Sequence, residues 1–343
     1  MLIFFAMRIE QDYSLVLHNT FHLPAKTRWF VSYNSEDELP LLLDDPFFNS
    51  SPFLSIGEGS NMLFVNDFDG VIFHSCIHGI TIVDDTPDTV VLRVGAAEHW
   101  DDVVEYAVSA GWGGIENLSA IPGTAGAAVV QNIGAYGVEI KDVIGTVEAV
   151  HRFTGRKQVF SNESCRFAYR HSFFKSQDQD QYMITAIHVR LQKSPRQFKL
   201  DYGQMKKVLT GQPISLQTVR EAIMTLRSCL LPDPKALGNA GSFFTNPVIP
   251  LSQFRDLSTK YPTIPFYPTS EGYVKIPAGW LIEYCGFKGK REGNVGVYEK
   301  QALVLVNFGG ASGQEIASFA EKIQRSVHEK FNISLVPEVR YII

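Results

Sequence analysis

The stretch SAIPGTAGAAVVQNIGAYG, residues 119–137, holds no charged side chain, one proline, and glycines at 123, 126, 134 and 137 among small alanines. Chain this bare keeps backbone N–H groups accessible and lets a flat or anionic ligand approach closely. A helix predicted over about 98–110 and a strand predicted near 145–151 bracket it, so it lies inside a fold and is not a linker. Its spacing alone reads equally as a tightly packed set of turns. A second glycine loop upstream, GEGSN at 57–61, shifts the balance toward a cofactor site.

GEGSN sits between two apolar runs of PFLSIGEGSNMLFV (52–65), each read as a strand. A dinucleotide fingerprint requires a third glycine at 62 and then a helix, whereas Met62 opens the strand-like MLFV. No G-x-x-x-x-G-K-[ST] occurs either. GEGSN could hold a pyrophosphate through backbone N–H groups, with Ser60 and Asn61 as further donors, or be a plain hairpin turn. Two such loops some 60 residues apart suit a flavin adenine dinucleotide better than a nicotinamide cofactor in a βαβ unit.

Outward from these loops, RWFVSY (28–33) and the runs 71–74, 80–83, 90–95, 145–151 and 183–191 read as strands. Ser35 and Glu38 form a capping-box pattern ahead of a short helix through Leu43. EHWDDVVEYAVSAG (98–111) spaces Trp100, Val103, Val104, Ala107 and Val108 helically, with Gly111 as the stop. Residues 175–181 are a polar loop. Helices are expected at 216–229, 277–285 and 313–330, and strands at 302–307 and 333–342. Without regular β–α alternation the class is α+β. The expected blocks are 1–75 and 76–215, two lobes of one cofactor domain, and 216–343, a C-terminal substrate domain.

Forty-five per cent hydrophobic and 20% charged residues in 343 mark an ordinary globular chain with length for two or three domains. A net charge of −5 gives no reason to expect nucleic acid. Cys76, Cys165, Cys229 and Cys285 are far apart, which reads as a reduced, cytoplasmic chain without a zinc site. MLIFFAM is too short for a secretory core, Met1 and Met7 both remain open as starts, and no apolar run nears the ~20 residues of a membrane span. His18 and His22 lie four apart in a segment read as extended, so they are not a helical metal pair. No metal is expected.

GEGSNMLFV, IPGTAGAAVVQNIGAYG, CRFAYRHSFFK (165–175), GNAGSFFTNP (238–247), AGWLIE (278–283), QALVLVN (301–307) and PEVR (337–340) together resemble the UDP-N-acetylenolpyruvoylglucosamine reductase (MurB) family, in its order and across nearly the whole chain. The form resembled is the larger one with a substrate-closing tyrosine loop. The resemblance implies a two-lobed FAD-binding domain of the PCMH/vanillyl-alcohol-oxidase-like kind, unlike a Rossmann fold, plus a C-terminal α+β substrate domain. It implies non-covalent FAD, NADPH as hydride source, and reduction of the enolpyruvyl ether of UDP-N-acetylglucosamine enolpyruvate to UDP-N-acetylmuramate. The partners implied are those small molecules, acting on a monomer.

Hydride delivered to the substrate's methylene carbon leaves charge delocalised into the adjoining carboxylate, which calls for fixed donors and then a proton. Arg170 matches the family's catalytic arginine, suited to grip a carboxylate in a bidentate way; read alone, it is a surface ion pair. Ser242, in NAGSFFTNP, reads as a serine in a buried loop. A hydroxyl is a poor acid, but a carbanion beside a carboxylate is a strong base, so the mismatch shrinks; the bland alternative is a turn serine bonded to its own backbone. Glu338 matches the catalytic glutamate, either orienting the carboxylate or donating a hydrogen bond, and Arg340, two residues on in a strand, would share its face.

By the same resemblance Gly57, Glu58, Gly59, Ser60, Asn61, Ile121, Pro122, Gly123, Thr124, Gly126, Ala127, Asn132, Ile133, Gly134 and Arg227 fall to the cofactor. Tyr169, Tyr202, Lys235, Asn246, Tyr267, Gln301 and Arg340 fall to the nucleotide sugar. Tyr267 lies in PTIPFYPTSEG (262–272), read as a lid. Two departures stand out: Leu230 where close relatives carry lysine, and His22 after NTF where glycine is common. The rival readings are an FAD-dependent sugar or hydroxy-acid oxidase of the same superfamily, and a binding module without flavin.

Overall fold

The computed structural model describes residues 7–175, 181–194, 197–201, 203–269 and 271–343. The polar segment 176–180 and Tyr202 therefore lie outside the described residues. The chain forms two compact units, each assembled from separated stretches. One holds the segment ending at Tyr13, Thr27–Glu58 and Asp69–Arg227; the other holds Ser14–Lys26, Gly59–Phe68 and Ser228–Ile343. These units cut across the linear blocks 1–75, 76–215 and 216–343. The class is α+β, as the irregular mixture of strand and helix patterns implied.

The first unit is built on two larger sheets. One runs in the order Arg8–Ser14, Lys26–Tyr33, Phe68–Ser75, Phe53–Ile56. Its side chains Val31, Tyr33, Val71 and Phe73 join Leu39 and Phe48 in one apolar cluster. Ser35 accepts from the Asp37 N–H, but the Glu38 carboxylate takes the Asn34 N–H, so the capping box is displaced by one residue. A 3₁₀ turn, Glu36–Glu38, consequently precedes the helix Leu39–Leu43.

The second sheet runs Lys157–Ser161, Ile144–His151, Tyr182–Lys193, Thr89–Gly95, Ile80–Asp85, all antiparallel, with Trp112–Gly113 also on Tyr182–Lys193. The helix Trp100–Ser109 buries the five residues that its spacing selected, and Gly111 follows at φ +77°. These join Val90, Leu92 and Val94 in the unit's largest core.

The stretch 119–137, read as loop, contains a helix, Ala125–Gln131, followed by the paired strands Gly134–Ala135 and Val138–Glu139. Small residues serve packing here. A Cβ on Gly126 would stand 3.0 Å from the Ala96 Cβ, so the helix lies closer to the chain at Ala96 than a larger residue would allow. GEGSN is not a hairpin turn either. Phe53–Ile56 pairs in parallel with Phe68–Ser75, while Met62–Phe64 pairs in parallel with Arg340–Ile342.

The second unit is built on the antiparallel sheet Gly238–Ser242, Val304–Asn307, Val295–Val297, Arg291–Glu292. The helix Gly313–Phe331 opens on a Ser312–Glu315 capping box and closes on Asn332 in the left-handed conformation. Phe243, Phe244, Leu281 and Ile323 lie in its core. The segment 15–25, read as extended, is a set of tight turns held by the Asn19 carboxamide on Leu15 and Leu23. His22 there has φ +57°, which explains why glycine suits that position. The expected strand 333–342 shortens to Arg340–Ile342, with an isolated bridge of Pro337 to Phe244. Among the described residues no helix is long and apolar enough to cross a membrane.

Candidate active site

In the first unit the two glycine loops meet. A Cβ on Gly57 would stand 2.5 Å from the Thr124 Oγ1, so only glycine lets these turns lie side by side. Glu58 pairs with the His99 ring, and His99 bridges to Thr124. The Trp100 N–H donates to the Gly123 carbonyl at 2.9 Å, and the Ala125 and Gly126 N–H groups donate to Glu98 and Ala96. The start of the helix Ala125–Gln131 is thereby tied into the fold.

Ala120 takes φ +57° and Gly123 φ +115°, a turn that needs external support. Asp101 provides it, accepting the Ala120 N–H at 2.6 Å while holding Arg220 through two bonds of 2.6 and 3.0 Å. Burial pushes the Asp101 carboxyl up, but Arg220 and the Ala120 N–H outweigh it and hold it below the usual range. Arg227 donates its Nε to the Ala120 carbonyl at 3.1 Å. Among the described residues no carboxylate pairs with it, and desolvation, aided by Arg170, pulls its guanidinium below the ordinary value. A half-buried cation beside bare, closely packed turns fits an anionic, flat cofactor such as FAD.

Arg170 is anchored in the same unit. Its Nη2 donates to the Gly134 carbonyl at 2.6 Å, its Nη1 reaches the Asn132 carbonyl at 3.5 Å, and its guanidinium lies 5.3 Å from the Tyr169 ring centre. A side chain on Gly134 would collide with the Arg170 Nη1 at 2.8 Å. Asn132, fully buried at φ +45°, donates to Ala168 and Glu139 and accepts from the Lys141 N–H. Its side chain joins the loops around Arg170. Where the residue read alone was a surface ion pair, the structure holds the Arg170 guanidinium on the Gly134 and Asn132 carbonyls, beside the Tyr169 ring.

In the second unit Ser242 ends the strand Gly238–Ser242 and is exposed, while Phe243 and Phe244 are buried. It thus stands at a strand end, where a buried loop was expected. Among the described residues its hydroxyl makes no hydrogen bond, so it is not a self-bonded turn serine. Glu338 lies in the adjoining segment, its N–H donating to the Phe243 carbonyl at 2.8 Å and its carbonyl accepting from the Asn61 side chain at 3.2 Å. The Arg340 N–H donates to the Asn61 carbonyl. Residues 338–339 form a bend outside the strand, so simple alternation does not put Glu338 and Arg340 on one face.

The remaining residues of this unit are spread along its loops. The Asn246 Oδ1 accepts the Ala278 N–H at 2.9 Å and so helps start the helix Ala278–Tyr284; among the described residues its amide nitrogen makes no hydrogen bond. The Gln301 side chain holds the Leu303 N–H. Lys235 is exposed, and Tyr267, half exposed, lies on a short strand paired with Tyr273–Lys275. Of the positions matched to the cofactor by resemblance, Gly59, Ser60 and Asn61 fall in this second unit. Asp101 and Arg220 escaped the sequence reading because an acidic residue in a first helical turn and a lone arginine on an amphipathic helix carry no distinguishing pattern.

Residues 28–158 match the profile of an FAD binding domain, and residues 233–342 match the C-terminal domain of UDP-N-acetylenolpyruvoylglucosamine reductase. Reductases of that name from Porphyromonas gingivalis and Bacteroides fragilis are 49% and 46% identical to the chain. They align over 98% and 97% of it and over the whole of each relative. The chain belongs to the UDP-N-acetylenolpyruvoylglucosamine reductase family. It is accordingly an FAD-containing oxidoreductase of peptidoglycan precursor synthesis. The crystal structure of the Thermus caldophilus reductase shares the fold, with a TM-score of 0.67 at 20% identity, covering 99% of this chain and all of that one.

Proposed function

We propose that this reductase converts UDP-N-acetylglucosamine enolpyruvate to UDP-N-acetylmuramate at the expense of NADPH, acting as a cytoplasmic monomer. The observation that carries the reading is full-length identity of 49% to a reductase of that name. Gly57, Glu58, Gly123, Thr124, Gly126 and Arg227 would hold the FAD of the first unit, with Gly59, Ser60, Asn61, Ile121, Pro122, Ala127, Asn132, Ile133 and Gly134 completing the set. Bound FAD supplies a two-electron carrier between NADPH and substrate. In functional terms blocks 1–75 and 76–215 serve the cofactor and 216–343 the substrate.

Arg170, its guanidinium held by the Gly134 and Asn132 carbonyls, grips the substrate carboxylate and stabilises the charge that develops there. Ser242, exposed and without a hydrogen bond to its hydroxyl among the described residues, gives its proton to the carbon next to that carboxylate. Glu338, its backbone tied to the Ser242 segment, orients the same carboxylate. Tyr169, Tyr202, Lys235, Asn246, Gln301 and Arg340 bind the nucleotide sugar, and Tyr267 closes over it. Tyr202 is proposed on resemblance alone.

The decisive experiment is an anaerobic absorbance trace of the purified, FAD-loaded protein. Bleaching with NADPH, followed by return of the oxidised spectrum on adding UDP-N-acetylglucosamine enolpyruvate, is expected. Bleaching without recovery would point to another acceptor. Bleaching by a sugar or hydroxy acid, with no response to NADPH, would establish the oxidase instead. Failure to bind FAD would end the reading.

A further inference from the structure

The strand that ends at Ser242 is irregular, and one buried side chain accounts for it. Gly238 and Asn239 oppose Asn307 and Val306, but the next partner of the neighbouring strand, Val304, faces Ser242. Two residues, Ala240 and Gly241, therefore stand against Leu305 alone, which makes a β-bulge. Gly241 within it takes φ +66°. Under strict alternation Asn239 and Ser242 would face opposite sides. The extra residue puts them opposite Val306 and Val304, on one face.

Asn239 holds this distortion from inside. It is 2% exposed, and its Oδ1 accepts the Gly241 N–H at 2.9 Å, the group that the bulge removes from the ladder. Its Nδ2 donates to the carbonyls of Leu237 at 2.8 Å and Pro232 at 3.3 Å, and its own N–H donates to Thr20. A buried amide with every strong site engaged has one orientation. Gly241, in turn, is not shaped by crowding, because a Cβ there would meet nothing within 4 Å. Its conformation is set by the chain and by the Asn239 oxygen.

We infer that Asn239 is a positioning residue for proton delivery, aiming the Ser242 hydroxyl through the Gly241 bulge. The inference rests on the reading of Ser242 as proton donor. Replacement of Asn239 misplaces that hydroxyl while leaving flavin reduction by NADPH untouched.

The test compares Asn239→Leu, Asn239→Asp and Ser242→Ala, alone and combined, as FAD-loaded proteins in stopped flow. Asn239→Leu is expected to reduce with NADPH at the parental rate and to reoxidise with substrate roughly 10–100-fold more slowly, a partial loss that stops at the lower end of the roughly 10²–10⁴-fold worth of a positioned acid. Asn239→Asp keeps the acceptor for Gly241 but loses the donors to Leu237 and Pro232, and is expected to reoxidise faster than Asn239→Leu and more slowly than the parent. On a Ser242→Ala background Asn239→Leu should add less than about twofold, since a shared route is not additive. Amide hydrogen exchange in peptide 238–242 of the apoprotein should rise in Asn239→Leu and stay protected in Asn239→Asp. Normal reoxidation in Asn239→Leu beside a slow Ser242→Ala, or a full additional loss in the double variant, overturns the role of Asn239. Normal reoxidation in Ser242→Ala removes the proton donor itself, and the inference falls with it. If Asn239→Leu does not fold, Asn239→Asp decides: reoxidation as slow as in Ser242→Ala with a protected Gly241 amide overturns the proposal.

Discussion

Two glycine-bearing turns, one at Gly57 and one at Gly241, use glycine for opposite reasons. At Gly57 a side chain has no room, being 2.5 Å from the Thr124 hydroxyl, and the benefit is close approach of two loops. At Gly241 there is room, with nothing within 4 Å, and the benefit is a left-handed backbone that re-aims the next residue. The cofactor turns are thus a packing problem and the serine bulge a conformational one. Packing tolerates no added atom, whereas conformation tolerates any residue that can adopt the required φ.

The largest effect expected is chemical. Ser242→Ala should leave flavin reduction by NADPH intact and slow reoxidation by substrate roughly 10²–10⁴-fold in stopped flow, the usual worth of a positioned acid. A normal rate would leave the bulge without a catalytic purpose and dissolve the contrast. Next comes Gly57→Val. Overpacking at that contact costs about 1–3 kcal/mol, which predicts FAD binding weakened by roughly 10–100-fold in a fluorescence titration. Unchanged affinity would show that the loops separate freely.

A smaller pair of substitutions separates the two uses of glycine directly. Gly241→Ala should lose about 1–2 kcal/mol in urea unfolding, the cost of a left-handed alanine, while Gly241→Asn should lose less because asparagine enters that region more easily. Equal losses for both would mean that space, and not conformation, governs the bulge.

The smallest effect belongs to the second sheet of the first unit. Glu148 accepts from Arg93 at 2.6 and 3.0 Å and sits 2.6 Å from the His188 Nε2. Burial pushes its carboxyl up, but hydrogen bonds from Arg93 and His188 prevail and hold it below the usual range. A depressed folded-state pKa stabilises the protein above the unfolded value near 4.3 and stops doing so as pH falls through the folded value. Glu148→Gln should therefore cost about 1 kcal/mol at pH 7, after allowance for solvent screening, and the deficit should shrink as pH falls from 5 toward 3. A deficit independent of pH would assign the loss to packing.

Much of this was legible in the chain. The helix Trp100–Ser109 and the strands Lys26–Tyr33, Thr89–Gly95, Ile144–His151 and Tyr182–Lys193 follow from the pattern of apolar residues, because one-sided burial imposes its period on sequence; Arg8–Ser14 and Lys157–Ser161, mostly exposed and polar, do not. The motifs around Arg170, Ser242 and Glu338 announced the family, since their composition is unusual and their order is kept. The helix Ala125–Gln131 was not legible, because alanines and a glycine offer no apolar stripe to count. Tertiary structure alone decided that Gly57 must be bare against Thr124, that Asp101 supports Ala120, and that Asn239 holds the turn before Ser242. Each of these is a contact between groups whose separation in sequence or whose backbone angle carries no local signal. Periodicity records which face of an element is buried; what that face touches is settled only when the chain closes on itself.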